Sequence, residues 1–175
     1  MRAILRVFLL VSACGFALSL AVHVLALAGR LPPGKSVIEL NLGILVVWLP
    51  AVMVANRIAQ ANRGFSWGTI LSGCPRGMRV VLCLLMAYAV VNFALLFLKA
   101  GAPPDLSSSA RVAVVRRATA LDMAFYGAAF ALIFSAVRAP QLLAGRRCPK
   151  GHPVPPTADK CPQCGQSVES GMKRA

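Results

Sequence analysis

Long apolar stretches separated by short basic segments dominate the chain. Between Arg6 and Arg30 the run Val7 to Ala28 is interrupted only by Ser12, Ser19 and His23, and between Arg79 and Lys99 no charge occurs from Val80 to Leu98. Each is long enough to cross a bilayer, because roughly 20 helical residues at about 1.5 Å each traverse a hydrocarbon core of about 30 Å. Two further runs are less clean: Val37 to Ala55 carries Glu39, Asn41 and Pro50, and Ala118 to Val137 carries Asp122. The pattern predicts an all-α membrane protein, a four-helix transmembrane bundle within residues 1–138 with spans at about 7–28, 37–55, 80–98 and 118–137. A linker, 139–147, then leads to a polar tail.

Composition supports lipid as the solvent. The chain is 58% hydrophobic and 14% charged, whereas soluble domains are nearer half apolar and a quarter charged. Val11-Ser12-Ala13-Cys14 has the look of a lipoprotein cleavage box. The residues after it stay apolar to Ala28, however, and the stretch has spanning rather than signal-peptide length. The retained helix is therefore expected, with Cys14 as a small buried hydrophobe.

The net charge of +14 invites a nucleic-acid reading until the charges are placed. With the N-terminus in the cytoplasm, Arg30, Lys35, Lys99, Arg111, Arg116 and Arg117 lie outside, and the other thirteen of the 19 Lys and Arg residues lie inside. The positive-inside bias then places both termini in the cytoplasm, in what is expected to be a bacterial cytoplasmic membrane. Arg116 and Arg117 fit least well and are expected to snorkel to headgroups. The connections read as links: Leu31-Pro-Pro-Gly34 as a tight turn, 57–79 as an interfacial segment with Phe65 and Trp67, and Gly101 to Arg117 opening on Gly-Ala-Pro-Pro-Asp, with Ser107 to Ser109 as a helix cap.

The tail carries the clearest chemistry. Cys148-Pro-Lys-Gly-His152 is followed after eight residues by Cys161-Pro-Gln-Cys164-Gly165. Three thiols and an imidazole are the ligands that Zn²⁺ prefers, and four of them fill its tetrahedral shell. A Cys-x-x-Cys turn lets both sulfurs reach one ion, and Gly165 permits the positive φ that closes the turn. So short a segment buries little core, so a structural zinc ion would supply most of its folding free energy, on the order of 10 kcal/mol or more. Two rival readings are a Cys161–Cys164 disulfide, which leaves Cys148 over and suits a reducing cytoplasm poorly, and a redox dithiol, which lacks its usual βαβ context.

Cys161-Pro-Gln-Cys164-Gly165 resembles the Cys-Pro-x-Cys-Gly knuckle of short zinc ribbons. The resemblance implies a closed structural site over 148–165 used for binding protein or nucleic acid, followed by a disordered tail, 166–175. It departs from the commonest ribbon pattern in that Cys148 and His152 stand where a second Cys-x-x-Cys would be. Many families share such ribbons, and the membrane body resembles none.

Ionisable groups within spans are costly and are functional candidates by default. His23, Asn92 and Asp122 fall at similar depths, each within two turns of the expected outer end of its span, and Glu39 opens the second span on that side. By the i, i+4 rule Gly15, Ser19 and His23 share a stripe, Tyr88 joins Asn92, and Tyr126 joins Asp122. One reading is an outward-facing pocket or proton-responsive pair, His23 with Asp122 or Glu39; the other is packing across the bundle. The small residues Ala120, Ala124, Gly127, Ala128, Ala131 and Ser135 suit close helix contact.

These features favour a membrane anchor or adaptor that presents a cytoplasmic ribbon to a protein partner. The rival is a small transporter or sensor built on the polar cluster. Nucleic acid is a less favoured partner, because membrane lipid attracts the basic residues around the ribbon equally well. A four-helix quinone-linked thiol oxidase needs cysteines in the outer loops, and 29–36 and 101–117 contain none. With four protein ligands closing the shell, metal catalysis is not expected.

Overall fold

The computed structural model describes residues 2–31, 36–62, 64–98, 108–143, 146–154 and 158–167. It is an α-helical membrane protein with four long helices and, in its tail, one short strand pair. Helix α1 is Arg2–Leu27, α2 is Ser36–Ala61, the single turn α3 is Trp67–Ile70, α4 is Arg76–Leu98 and α5 is Ser108–Arg138. A 3₁₀ turn at Pro140–Leu143 leads to two short antiparallel strands, β1 (Arg146–Arg147) and β2 (Pro153–Val154), in the register Arg146 to Val154 and Arg147 to Pro153. Within α1, α2, α4 and α5, Ala3–Leu27, Val37–Ala61, Arg76–Leu95 and Ser109–Arg138 are each long and apolar enough to span a membrane. Helices are the outcome physics requires there, because lipid offers backbone polar groups no partners.

Each long helix runs beyond its apolar run. The largest extension is in α5, which begins at Ser108 rather than near Ala118 and carries Arg111, Arg116 and Arg117 on its first turns. A helix satisfies its own backbone wherever the bilayer ends, so polar residues at its mouth do not stop it. At the far end of α1 a specific stop does operate. Gly29 takes a φ of 73°, its N–H bonds the Ala26 carbonyl at 3.1 Å, and the N–H of Arg30 bonds that of Leu25 at 2.9 Å. This is the glycine-terminated C-cap that L side chains enter only with strain.

Helix α5 is the centre of the bundle. Of its most apolar window 67% is buried, against 17–28% for the other three spans, and α1, α2 and α4 all pack on it. The small residues make this possible: Ala120, Ala124, Ala128, Ala131 and Ser135 are all buried. In lipid, helix association relies on close van der Waals fit and hydrogen bonds rather than on the hydrophobic effect, so a helix that contacts three neighbours needs small side chains on several faces. Gly127 lies under Leu85 of α4, and Gly15 of α1 lies under the ring of Tyr126.

The connection between α2 and α4 is clamped to α5. The Ser135 hydroxyl donates to the Ile70 carbonyl at 2.6 Å and accepts from the Gly73 N–H at 3.0 Å, and the Cys74 thiol donates to the Ala131 carbonyl at 3.2 Å. Phe65 and Trp67 remain exposed and meet edge to face at 5.1 Å. Cys14 is exposed on the flank of α1, which corrects its expected burial; the α1 face that meets α5 is taken by Gly15, Ser19 and His23 instead. The turn expected at 32–34, the loop 101–107 and residues 168–175 lie outside the described residues.

Candidate metal centre

The tail folds around its cysteines. Two similar turns present the ligands. In the first, the Gly151 N–H bonds the Cys148 carbonyl at 2.8 Å, Gly151 takes a φ of 83°, and the Cys148 N–H returns to the His152 carbonyl at 3.0 Å. In the second, the Gly165 N–H bonds the Cys161 carbonyl at 2.8 Å, Gly165 has a φ of 70°, and the Cys161 N–H bonds the Gln166 carbonyl at 2.8 Å. The sequence dictates both turns, since each places glycine where the backbone turns left-handed. The β1–β2 pair braces the first, and an isolated bridge between Lys160 and Ser167 braces the second. Residues 166 and 167 therefore extend the folded unit beyond its expected end at 165.

Cys148, His152, Cys161 and Cys164 offer ligand atoms that all lie within 4.8 Å of one another. The Sγ atoms of Cys148 and Cys164 are 3.6 Å apart, and Cys161 Sγ lies 3.8 Å from His152 Nδ1. Both close pairs cross from one turn to the other, so a single ion would tie the two turns together. A small apolar cluster of Cys148, Val154 and Cys161, flanked by Ala158 and Cys164, backs the group. The tips Pro149, Lys150, Pro162 and Gln163 are exposed.

The thiols are not equivalent. Desolvation works against the Cys161 thiolate, but the backbone N–H groups of Gln163 and Cys164 together with the thiols of Cys164 and Cys148 hold it below its ordinary range. At Cys164 the backbone N–H of Gln166 favours the thiolate, yet desolvation and the sulfurs of Cys161 and Cys148 hold it above.

The intramembrane candidates are divided rather than gathered. His23 is buried between α4 and α5, its Nε2 2.8 Å from the Tyr88 hydroxyl and its Nδ1 2.9 Å from Thr119 Oγ1. Thr119 donates its own hydroxyl to the Val115 carbonyl at 2.8 Å, so it accepts from His23 Nδ1–H, and in the neutral ring Nε2 then accepts from Tyr88. Both ring nitrogens are taken by these partners rather than by Asp122 or Glu39, the partners of the proton-responsive reading, and the contacts are those of packing across the bundle. Asn92 is buried and donates to the Tyr88 carbonyl at 2.9 Å. Glu39 is exposed and lines a crevice between α1 and α2 with Cys14 and Tyr126. Asp122 is 1% exposed, and its Oδ2 has no hydrogen-bond partner among the described residues; the same holds for Ser19 Oγ.

Thr119 was not a candidate from sequence. Its place one turn from Asp122 on the same face of α5 was the available signal. Arg117, on the same helix, is buried against the bundle at 7% exposure.

No protein-family model, curated protein or solved structure matches this chain.

Proposed function

We propose that the protein is a membrane-anchored adaptor whose C-terminal ribbon holds one structural zinc ion and binds a protein partner at the cytoplasmic face. The observation that carries the reading is the disposition of the four ligand atoms. In a regular tetrahedron around Zn²⁺, with Zn–S of about 2.3 Å and Zn–N of about 2.05 Å, sulfurs stand about 3.8 Å apart and sulfur and nitrogen about 3.5 Å. The two cross-turn separations of 3.6 and 3.8 Å lie close to these values. Mixed thiolate and imidazole ligation favours zinc over the hard, oxygen-seeking cations. Bound there, the ion supplies folding energy rather than Lewis acidity, since four protein ligands leave no position for a substrate.

A unit held in this way is a rigid display surface. Its exposed tips, Pro149-Lys150 and Pro162-Gln163, are solvent-facing turns, and the 3₁₀ turn that precedes it is fixed to the bundle by Asn62, whose amide donates to the Leu142 carbonyl at 3.2 Å. A cytoplasmic position is supported by the basic residues, thirteen of 19 on the side of both termini. A bacterial cytoplasmic membrane is consistent with that placement. The test is capture of partners from solubilised membranes by the whole protein, by the chain lacking 139–175, and by Cys161→Ser with Cys164→Ser. A protein retained only by the metal-competent chain supports the adaptor reading, and identical capture by all three opposes it.

A second reading, a small transporter or sensor, draws on Asp122, whose buried Oδ2 has no hydrogen-bond partner among the described residues. A phenotype abolished by Asp122→Asn in a protein that stays folded, inserted and metal-loaded would favour it.

A further inference from the structure

Helices α1 and α5 run antiparallel in a register that is fixed on either side of one polar stretch. Gly15 of α1 lies under the Tyr126 ring of α5, and two turns further along α1 His23 bonds Thr119. Ser19 stands midway between Gly15 and His23, and Asp122 stands between Thr119 and Tyr126. The register therefore sets Ser19 and Asp122 on facing turns.

Both residues are enclosed, at 0% and 1% exposure, and Ser19 Oγ and Asp122 Oδ2 each have no hydrogen-bond partner among the described residues. The serine differs in this from other hydroxyls of the bundle. Ser12 and Thr119 turn back to the carbonyls of Phe8 and Val115, one turn earlier, at 2.7 and 2.8 Å, the usual recourse of a hydroxyl within a helix. Ser19 does not, and the side chain it faces is a carboxyl.

No cation answers that carboxyl. His23 of α1 gives both ring nitrogens to Thr119 and to Tyr88 of α4, Tyr126 gives its hydroxyl to the Leu40 carbonyl, and Glu39 of α2 is itself acidic and exposed. Arg116 and Arg117 lie on the preceding turns of α5, and neither bonds Asp122 Oδ2. A carboxylate enclosed in this way, with lipid around the bundle, carries its charge at a high cost.

We propose that Asp122 and Ser19 form a proton-binding site inside the bundle, in which the carboxyl holds one exchangeable proton that Oδ2 donates to Ser19 Oγ. The proton removes the uncompensated charge and turns Oδ2 from an acceptor into a donor, so that the hydroxyl oxygen facing it becomes its partner. Ser19 keeps its own O–H for a backbone carbonyl. A crevice of about 370 Å³ between α1 and α2, lined by Gly15, Tyr126 and Glu39, passes one turn from the pair and gives the proton a route of exchange. The site stands apart from the metal centre and does not depend on the adaptor reading.

Infrared spectroscopy of the full chain purified in detergent reads the proton directly. At about pH 7 exposed carboxyls, whose ordinary value is about 4, are ionised, so the stretching band of a protonated carboxyl belongs to a buried acid. The native chain should show one such band, shifted by isotopically labelled aspartate and by heavy water, and equally strong in sodium and choline buffers. Asp122→Asn should abolish it. Ser19→Ala should move it to higher frequency, as befits a carboxyl that has lost its acceptor, and Ser19→Thr should hold it near the native position. The labelled-aspartate measurement needs no substitution, so it decides the matter even where a variant fails to fold. A native chain without the band, a band that survives Asp122→Asn, one unmoved by Ser19→Ala, or one that disappears in sodium and so marks a metal cation in the site would each overturn the proposal.

Discussion

The ring of Tyr126 in α5 lies directly over Gly15 of α1, in the space that a Cβ at position 15 would take. The same side chain reaches past α1 to α2, where its hydroxyl donates to the Leu40 carbonyl at 2.8 Å. One residue therefore ties three spans together. It does so by contact on one side and by a hydrogen bond on the other, which are the two forces that hold helices together in lipid.

Gly15→Ala should destabilise the bundle by about 1–3 kcal/mol, because the new methyl group must displace a ring whose far end is held. Tyr126→Phe keeps the ring and loses only the bond to Leu40, and should cost less, about 0.6–1.7 kcal/mol. Reversible unfolding in mixed micelles orders the two. A silent Gly15→Ala would mean that α1 is free to move away from α5.

Loss of the His23 chain should have a modest cost. His23→Ala removes the hydrogen bonds to Thr119 and Tyr88, and Asp122→Asn replaces a buried carboxyl with an amide of similar size. Each is expected to change stability by about 0.6–2 kcal/mol and to leave cellular function largely intact. The same unfolding assay, paired with growth or partner-capture measurements, separates these outcomes from a working Asp122 site.

Acid should release the metal. Ligation needs thiolates and a neutral imidazole, so protons compete at all four ligands. Cys161 is held below its ordinary range by the N–H groups of Gln163 and Cys164 and by the thiols of Cys164 and Cys148, against the desolvation that raises it. The stabilisation of the Cys161 thiolate is present above the ordinary thiol pKa and is lost as pH falls through the lowered one. Metal retained at about pH 7.5 should be lost at about pH 5 on equilibrium dialysis. Retention that does not change over that range would argue against thiolate ligation.

Reporter fusions test the orientation. Fusions after Arg63 and Arg174 should read cytoplasmic and one at Asp105 external, because most cationic residues lie on the side of the two termini. A cytoplasmic signal at Asp105 would invert the proposed placement of the ribbon.

The parts of this molecule that were legible in sequence are those governed by local rules. Apolar length alone locates helices where lipid leaves no other backbone solution, and the metal group is legible because all four ligands fall within 148–164. Register between helices is not local. His23 was recognisable as an unusual group, yet its partner Thr119 lies 96 residues away, and nothing in either helix announces which turn of α5 meets which turn of α1. For the same reason Cys14 was placed inward although it lies exposed on the flank of α1. The central place of α5 was partly visible in its small residues, but only the packing showed that three neighbours use them.

Metal content of the purified full-length chain tests the central claim most directly. Elemental analysis should find one zinc per chain, and cobalt substituted for it should give the visible absorption of a tetrahedral thiolate site. Cys161→Ser with Cys164→Ser should remove the metal, and His152→Ala should weaken its retention, while the membrane helices stay folded. Metal content unchanged in the double cysteine variant would contradict the account.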